Sequence, residues 1–353
     1  FPYRARLMAG KGFSFSPVGK LYIAEGRTGR SPEYLPGRLE AVENFALHPA
    51  AAVLSYGVAC FEGLKVFRHA DGSTWIFRAD ENAKRLQRSG EALGLPVPSV
   101  EMFLDACHAV AKSCQADVPE YQRGSLYLRP ILFGTEPILG VAAGVDSRFH
   151  VFGSPVGNYF DGHPDGGASG LRLRIQEGAR VPYKGMGRHK LSANYASTLF
   201  ARRAVAAAGD HEALYLDARG LGNIEETAGS NIACVLKNGT LVTPSLANDT
   251  ILPGVTRMSL LRIAKEDLGL KVEERDLPIE EVLSEGREFF VMGTAVVVGP
   301  VASLWYRRPS ETDGKAYRLP MVPGEVTMQL RRRLVDLQEG RLADTRGWMT
   351  RIT

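Results

Sequence analysis

A segment rich in turn-forming residues divides this chain of 353 residues into two parts. Between Ser154 and Ser169 the composition changes abruptly to glycine, proline, aspartate and asparagine, which interrupt helices and strands. We therefore predict an interdomain linker over residues 154–169, with an N-terminal domain over 1–153 and a C-terminal domain over 170–353. The length is sufficient for two domains that each bury a hydrophobic core.

Hydrophobic spacing predicts helices and strands on both sides of this linker. In the N-terminal part we predict helices over 80–93, capped by Asp80, and over 99–115, and strands over 66–67, 74–77, 126–132 and 149–152. In the C-terminal part we predict strands over 171–176, 213–216 and 232–236, a helix from about 194 to 208, and a helix with Thr256 as its cap. This mixture indicates an α+β fold rather than a regular βαβ alternation.

The composition is that of a globular protein. Together with the pattern of apolar residues, it argues against a nucleic-acid-binding, a membrane-spanning or a secreted protein. Apolar residues make up 44% and charged residues 23% of the chain, and the formal net charge of +4 arises from interspersed basic and acidic residues. We therefore predict no nucleic-acid surface. The longest apolar stretch, residues 289–298, is too short to span a bilayer, and no secretory apolar core follows Phe1 to Arg4. We predict a cytoplasmic location without membrane insertion.

The four cysteines do not predict a metal or redox site. Cys60, Cys107, Cys114 and Cys234 show neither a Cys-x-x-Cys spacing nor a nearby histidine cluster. We predict buried thiols and no bound metal.

Lys190 and Glu226 carry most of the chemical information. Lys190 precedes a predicted helix, and an amine there can form an imine with an aldehyde. A carboxylate such as Glu226 can keep a pyridine nitrogen protonated, so that the ring acts as an electron sink. Together they predict pyridoxal phosphate chemistry. Taken alone, the lysine is usually a solvated surface residue and Glu226 part of a solvated acidic turn, with either it or Glu225 exposed.

The segment from Leu252 to Arg257 predicts a site for an anion. Gly254 allows the backbone to come close, and the free N–H groups and dipole at the start of the following helix suit a phosphate. Nearly every helix has such an end, so this pattern is weak by itself. Arg85 and Thr294 are candidates for further phosphate contacts; Arg85 taken alone has the usual features of a surface residue.

Ordered matches along the chain give it a resemblance to a known family. They include Leu47-His48-Pro49-Ala50, Phe61-Glu62-Gly63-Leu64-Lys65, Tyr127-Leu128-Arg129-Pro130, Thr135-Glu136-Pro137, the segments around Lys190 and Glu226, Leu252-Pro253-Gly254-Val255-Thr256-Arg257 and Gly293-Thr294-Ala295. The chain resembles the branched-chain amino-acid aminotransferases, which are class IV aminotransferases of the fold type IV group of pyridoxal phosphate enzymes. The resemblance implies a smaller N-terminal α/β domain and a larger C-terminal domain with a β-barrel-like core that carries Lys190.

The resemblance also implies roles for individual residues. Lys190 would form the covalent link to pyridoxal phosphate, and Glu226 would pair with the pyridine nitrogen. The other cofactor contacts would come from Tyr195 at the ring oxygen and from Arg85, Val255, Thr256 and Thr294 at the phosphate. The substrate contacts would come from Tyr56, Phe61, Tyr127, Arg129 and Ala295, and from Leu139 of the second subunit in a homodimer.

The expected reaction is transfer of the amino group from a branched-chain or related hydrophobic L-amino acid to 2-oxoglutarate by a ping-pong mechanism. The sequence departs from the family near the lysine, where small residues are common. Bulky and basic groups stand there instead, namely Tyr183, Met186, Arg188 and His189, and Ile232-Ala233 replaces an apolar residue followed by an aromatic one. An unusual β-branched or aromatic substrate, a D-amino-acid aminotransferase, a lyase of the aminodeoxychorismate type and a non-catalytic binder of the cofactor remain alternatives.

Overall fold

The computed structural model describes residues 15–16, 18–27, 33–142, 145–159 and 169–353. Their contacts divide the chain into two compact units. The N-terminal unit contains the described residues up to Asn158, together with His189–Ala193 and Leu337–Thr353, and the C-terminal unit contains those of Tyr159–Arg188 and Asn194–Asp336. Part of the predicted linker, residues 160–168, lies outside the described residues.

Strands and helices follow one another along the chain in an irregular order. Up to Val156 they are β1 (Val18–Arg27), β2 (Glu33–Tyr34), β3 (Arg38–Ala41), α1 (Ala52–Tyr56), β4 (Ala59–Phe61), β5 (Leu64–Arg68), β6 (Thr74–Phe77), α2 (Ala79–Ala92), α3 (Val100–Ser113), a 3₁₀ turn (Gln115–Asp117), β7 (Ser125–Gly134) and β8 (Asp146–Val156). After the linker they are β9 (Leu171–Gln176), a 3₁₀ turn (Met186–Arg188), α4 (Ser192–Ala196), α5 (Leu199–Ala207), β10 (Glu212–Leu216), β11 (Ile224–Thr227), β12 (Asn231–Leu236), β13 (Leu241–Thr243), α6 (Val255–Glu266), β14 (Val272–Glu274), α7 (Ile279–Glu285), β15 (Gly286–Gly293), β16 (Val297–Tyr306), β17 (Lys315–Arg318), α8 (Glu325–Gln338) and β18 (Met349–Arg351).

Counted over the residues that the structure describes, both units are built on sheets of nine strands, and the sheet of the N-terminal unit is antiparallel. Its main path runs β18-β6-β5-β7-β8-β1-β2, with β3 paired to β1 and β4 to β7. Helix α3 packs against this sheet through Phe103, Ala106, Cys107 and Val110, which recur at helical spacing and are fully buried. Ser99 caps this helix, because its side chain accepts a hydrogen bond from the Met102 N–H.

The C-terminal unit is built on a second nine-stranded sheet, which is mixed. The path runs β11-β10-β9-β16-β15-β12-β13-β14, with β17 paired to β16. Strand β9 lies parallel to both of its neighbours and alternates buried Leu171, Leu173 and Ile175 with less buried residues. Antiparallel pairing of β12, β15 and β16 brings the start of β12, the end of β15 and the start of β16 to one edge of this sheet.

The division into units differs from the predicted ranges at two places. The end of the chain belongs to the N-terminal unit, because β18 pairs with β6 in the register Met349 to Phe77. The segment around Lys190 belongs there too, because a β-bridge joins Cys60 to Leu191. Both contacts are long-range pairings, which hydrophobic periodicity along the sequence does not reveal.

The predicted strands and helices are present, but two predicted helix caps are wrong. Helix α2 begins at Ala79 after Arg78, so Asp80 lies inside its first turn, and α6 begins at Val255 after Gly254, so Thr256 lies inside that helix. Acidic and hydroxyl residues are also favoured within the first turn, where the helix dipole is positive, and a sequence pattern does not separate these positions.

The helix predicted over about 194–208 is two helices, α4 and α5. At the break, Ser197 Oγ donates to the Asn194 carbonyl at 2.9 Å and Thr198 Oγ1 to the Tyr195 carbonyl at 2.7 Å. Hydroxyl side chains that bond to the preceding turn compete with the helical hydrogen bonds. All four cysteines are free and buried, as predicted. Across the part of the chain that the structure describes, every helix is too short or too polar to traverse a bilayer.

Candidate active site

Lys190 is held in the N-terminal unit by its main chain. The Phe61 N–H donates to the Lys190 carbonyl at 3.1 Å, and the Lys190 N–H donates to Ser89 Oγ at 3.0 Å. The next residue, Leu191, is buried in the core of this unit. The Lys190 ammonium lies 4.8 Å from the centroid of the Phe61 ring. The lysine that the sequence singles out is thus anchored on both sides, and its amine is directed over an aromatic face.

Arg85 is fixed by a buried carboxylate that the sequence analysis did not identify. Its Nε lies 2.6 Å from Glu62 Oε1 and its Nη2 lies 2.8 Å from Glu62 Oε2, which also accepts from Asn82 Nδ2 at 2.7 Å. Burial raises the pKa of Glu62, but the charges of Arg85 and Lys190 and the Asn82 hydrogen bond outweigh it, so the pKa lies below its ordinary value. The pair orients the Arg85 guanidinium; a contact with phosphate stays a prediction.

Three predicted substrate residues lie together near Lys190. The Arg129 guanidinium carbon is 4.9 Å from the centroid of the Phe61 ring and 5.2 Å from that of Tyr127, and Arg129 Nη2 donates to Tyr127 Oη at 3.2 Å. A Cβ on Gly63 would lie 1.8 Å from Tyr127 Oη, so glycine is required for this packing. The cluster presents a cation on an aromatic surface, which suits a carboxylate with an apolar side chain.

Tyr56 and Leu139 contact each other in an exposed part of the N-terminal unit. The Tyr56 hydroxyl donates to the Leu139 carbonyl. Leu139 is 92% and Val141 is 85% exposed. Such exposure of two apolar side chains separated by one residue is unusual for a surface without a partner.

Glu226 lies in the C-terminal unit, and its surroundings correct two expectations. It belongs to strand β11 rather than to a turn, and both it and Glu225 are buried, with 5% and 4% exposure. Asn231 Nδ2 donates to Glu226 Oε2 at 2.8 Å, and Arg180 Nη2 lies 2.5 Å from Glu226 Oε1. The Leu252 N–H donates to both carboxylate oxygens at 3.3 and 3.4 Å. A buried glutamate with these donors is held as a carboxylate.

The N-terminus of α6 lies beside this carboxylate. Asn231 Nδ2 also donates to the Leu252 carbonyl at 2.9 Å, and a Cβ on Gly254 would lie 2.1 Å from Asn231 Oδ1. Gly254 is the N-cap residue and has no side chain with which to cap α6. The N–H groups of Val255 and Thr256 at the helix start have no partner within the helix, so they are suitable donors for an anion.

Thr294 and Ala295 lie at the same edge of the second sheet. They form the turn between β15 and β16, where Gly293 pairs with Val297. Asn231 pairs with Met292 on the neighbouring strand, and a Cβ on Gly293 would lie 3.4 Å from Ser230 Oγ. One corner of the C-terminal unit therefore collects the predicted ring-nitrogen carboxylate, the helix terminus and the predicted phosphate donor Thr294.

The comparisons with known proteins agree with this geometry. The family model for class IV amino-transferases matches residues 59–304. The mitochondrial branched-chain-amino-acid aminotransferase 1 of Arabidopsis thaliana is 39% identical over 339 residues, which cover 96% of this chain and 85% of that protein. This chain belongs to the branched-chain-amino-acid aminotransferase family. It is therefore a transaminase.

Two further comparisons describe the range of this aminotransferase family. A methionine aminotransferase of Arabidopsis thaliana is 37% identical over 343 residues, which cover 96% of this chain and 92% of that protein. The crystal structure of a T.th. branched-chain amino acid aminotransferase with pyridoxamine 5'-phosphate has a TM-score of 0.78 at 26% identity, and the match covers 96% of this chain and 100% of that one. The predicted α+β, fold type IV architecture is confirmed.

The donor set of this aminotransferase fits pyridoxal phosphate. The Glu226 carboxylate suits a protonated pyridine nitrogen, and the uncapped start of α6 at Val255 and Thr256 suits a phosphate. Lys190 would supply the amine. Tyr195 is half-buried in α4, five residues after the lysine. In the sequence, Asn231 stands at the start of a predicted strand shortly after Glu226, and this position is a signal that it could be a partner of Glu226. No recognisable motif marks Arg180.

The unusual residues before Lys190 form contacts with other residues of the C-terminal unit. Arg188 Nη1 lies 2.8 Å from Asp249 Oδ1 in an exposed ion pair, and the Arg188 N–H donates to the Asp249 carbonyl. The Arg219 guanidinium carbon lies 4.8 Å from the centroid of the exposed Tyr183 ring, and the Met186 carbonyl accepts from Asn194. The basic charge of Arg188 is thus neutralised by Asp249.

Proposed function

We propose that this chain transfers the amino group of a branched-chain or related hydrophobic L-amino acid to 2-oxoglutarate, using pyridoxal phosphate, by a ping-pong mechanism. The observation that carries the proposal is the buried Glu226 carboxylate, which three donors hold beside the uncapped start of α6. Family membership and the anchored Lys190 support it.

The chain's own residues perform separate tasks in this reaction. Pyridoxal phosphate, when bound, withdraws electrons from the α-carbon of the substrate. Lys190 Nζ would hold the cofactor, and its amine would remove the α-proton of the substrate and return it during transfer. Glu226 would keep a proton on the ring nitrogen, and the N–H groups of Val255 and Thr256 would hold the phosphate. Thr294 and Arg85 are further candidates for phosphate contacts. Tyr195 contacts the ring oxygen.

The substrate is held by the aromatic cluster around Arg129. Arg129 and the turn at Thr294 and Ala295 are each candidates for binding a carboxylate, and Phe61, Tyr127 and Tyr56 would contact the side chain. The cation over two aromatic rings supports this assignment. A hydrophobic substrate other than a branched-chain amino acid is a second candidate, because one relative is named as a methionine aminotransferase.

We also propose that the protein is a homodimer in which Leu139 reaches the substrate site of the other subunit. The exposure of Leu139 and Val141 supports this arrangement, since a second copy would cover both. Sedimentation of the protein at several concentrations tests it. A cytoplasmic location stays a prediction, because relatives include proteins named as mitochondrial and chloroplastic.

Reduction with borohydride tests the proposed function directly. We expect it to fix the cofactor to the peptide that contains Lys190, and we expect Lys190→Ala to lose both the fixed label and the transamination of leucine, valine, isoleucine or methionine. Lys184→Ala, which changes an exposed lysine of the same segment, is the matched control and should retain both. Label on another peptide, or normal turnover by Lys190→Ala, would contradict the proposal. Release of an oxo acid without an acceptor would instead indicate a lyase.

A further inference from the structure

Glu225, the neighbour of Glu226 on β11, is buried and has no task in the reaction described above. It is 4% exposed. Its carboxyl group accepts a hydrogen bond from Thr250, but Oε2 is buried and has no hydrogen-bond partner among the described residues. An ionised carboxyl group is poorly stabilised in such a position.

Arg180 interacts electrostatically with both glutamates. Its Nη2 lies 2.5 Å from Glu226 Oε1, and its charge also stabilises the ionised form of Glu225. Arg180 is 8% exposed, and its Nε is buried without a hydrogen-bond partner in the described part of the chain. Arg180 Nη2 also donates to the Thr250 carbonyl at 2.7 Å, and the Thr250 side chain hydrogen-bonds to Glu225. The two carboxyl groups are therefore connected through Arg180 and Thr250, and a change in the charge of one alters the electrostatic interaction of Arg180 with the other.

The two glutamates have several titratable neighbours. They are Arg180, Tyr215, Asp217, Arg219 and Arg257. Burial raises the pKa of Glu225 to about 7; Thr250 and Arg180 limit this rise, and Glu226 and Asp217 add to it. Glu225 therefore exchanges a proton with water near neutral pH.

We propose that Glu225 is a positioning residue that sets, through Arg180, how strongly Glu226 holds the proton on the ring nitrogen of pyridoxal phosphate. When Glu225 is protonated, Arg180 pairs with Glu226 alone and weakens the attraction of Glu226 for that proton. When Glu225 loses its proton to water, a second negative charge acts on Arg180 and strengthens that attraction. The inference rests on the proposed function, because it concerns the same cofactor.

A spectral titration of the protein with bound pyridoxal phosphate tests this inference. We expect the visible band of the wild type to change with an apparent midpoint near pH 7, where Glu225 titrates. Glu225→Gln should lose this transition, and Glu225→Asp, which retains a carboxyl group, should keep it with a shifted midpoint. Glu212→Gln is the matched control, because burial also raises the pKa of Glu212, but its ion-pair partner is Arg202. It should keep the transition unchanged.

The outcomes separate this inference from the proposed function. An unchanged transition in Glu225→Gln, or an equal loss in Glu212→Gln, would overturn the inference while the bound cofactor still supports the proposed function. A wild type that forms no visible band with pyridoxal phosphate would overturn the proposed function, and the inference with it.

The protein without cofactor provides a second readout. Because the pKa of Glu225 is raised in the fold, its contribution to stability is complete below the usual value of 4.5 and is lost as the pH rises through about 7. Across that window we expect the free energy of unfolding of Glu225→Gln to increase relative to the wild type. A constant difference would show that Glu225 does not titrate there, and would overturn the inference.

Discussion

At the scale of single residues, the site depends on buried charges that are paired in specific ways. Glu62 holds Arg85, and Arg180 holds Glu226. Each pair lies within one unit, and in each the members are far apart in the sequence. Because an unpaired buried charge is strongly destabilising, these partners determine whether the predicted site residues can adopt their positions at all.

We expect Glu62→Gln to destabilise the N-terminal unit. The change leaves the Arg85 guanidinium buried without a counter-charge and keeps the shape of the side chain, so the free energy of unfolding at neutral pH should fall by about 3 kcal/mol. Chemical denaturation measures this difference. Asp80→Asn, which changes an exposed acidic residue of α2, is the control and should have little effect.

The same pair should make the stability depend on pH in acid. Because the pKa of Glu62 lies below its usual value of 4.5 in the fold, its contribution is present above that pH and is lost as the pH falls further. The stabilities of the wild type and Glu62→Gln should therefore approach each other in acid. A difference that stays constant down to low pH would contradict the assignment.

At the scale of elements, the start of α6 is where the site is most sensitive to packing. Gly254 supplies the N-cap and leaves room for Asn231, which in turn donates to Glu226. The break between α4 and α5 is also local, since two hydroxyl side chains produce it. The ends of the helices and strands, rather than their lengths, therefore determine where the site residues lie.

We expect Gly254→Ala to weaken cofactor binding. The new Cβ would lie 2.1 Å from Asn231 Oδ1, so Asn231 must move away from Glu226, and the free energy of unfolding should fall by about 1 to 3 kcal/mol. Titration with pyridoxal phosphate should show a higher dissociation constant. Gly178→Ala, where a Cβ meets no atom within 4 Å, is the control. Equal affinity in both variants would contradict the role given to Asn231.

At the scale of the whole molecule, the end of the chain completes the N-terminal unit. Strand β18 pairs with β6, and Trp348 packs edge-on to Phe77 at 6.0 Å between ring centroids. The Arg78 guanidinium lies over the Trp348 ring at 4.9 Å. Residues 349–351 are therefore part of the sheet of the N-terminal unit.

We expect Trp348→Ala to destabilise the protein by about 3 to 4 kcal/mol, because it removes a buried aromatic side chain that bridges the chain end and β6. Arg346→Ala, which removes one cation over the same ring, should lower the stability by less than about 1 kcal/mol. Thermal and chemical unfolding measure both changes. If the two variants were equally stable, the chain end would not contribute as described.

The family, the pyridoxal phosphate chemistry and most helices and strands could be predicted from the sequence. Lys190, Glu226 and the start of α6 stand in short segments whose residue types the chemistry requires, and hydrophobic spacing is a local property. The roles of the predicted site residues remain for the experiments above to test.

The long-range partners could not be predicted, because nothing near them in the sequence specifies which strands become neighbours. Folding alone brings Arg180 to Glu226 and Glu62 to Arg85, buries Glu225 beside Glu226, and returns β18 to β6. Burial and electrostatic pairing depend on distances in three dimensions. The charged partners of the site residues can therefore be identified only in the folded chain.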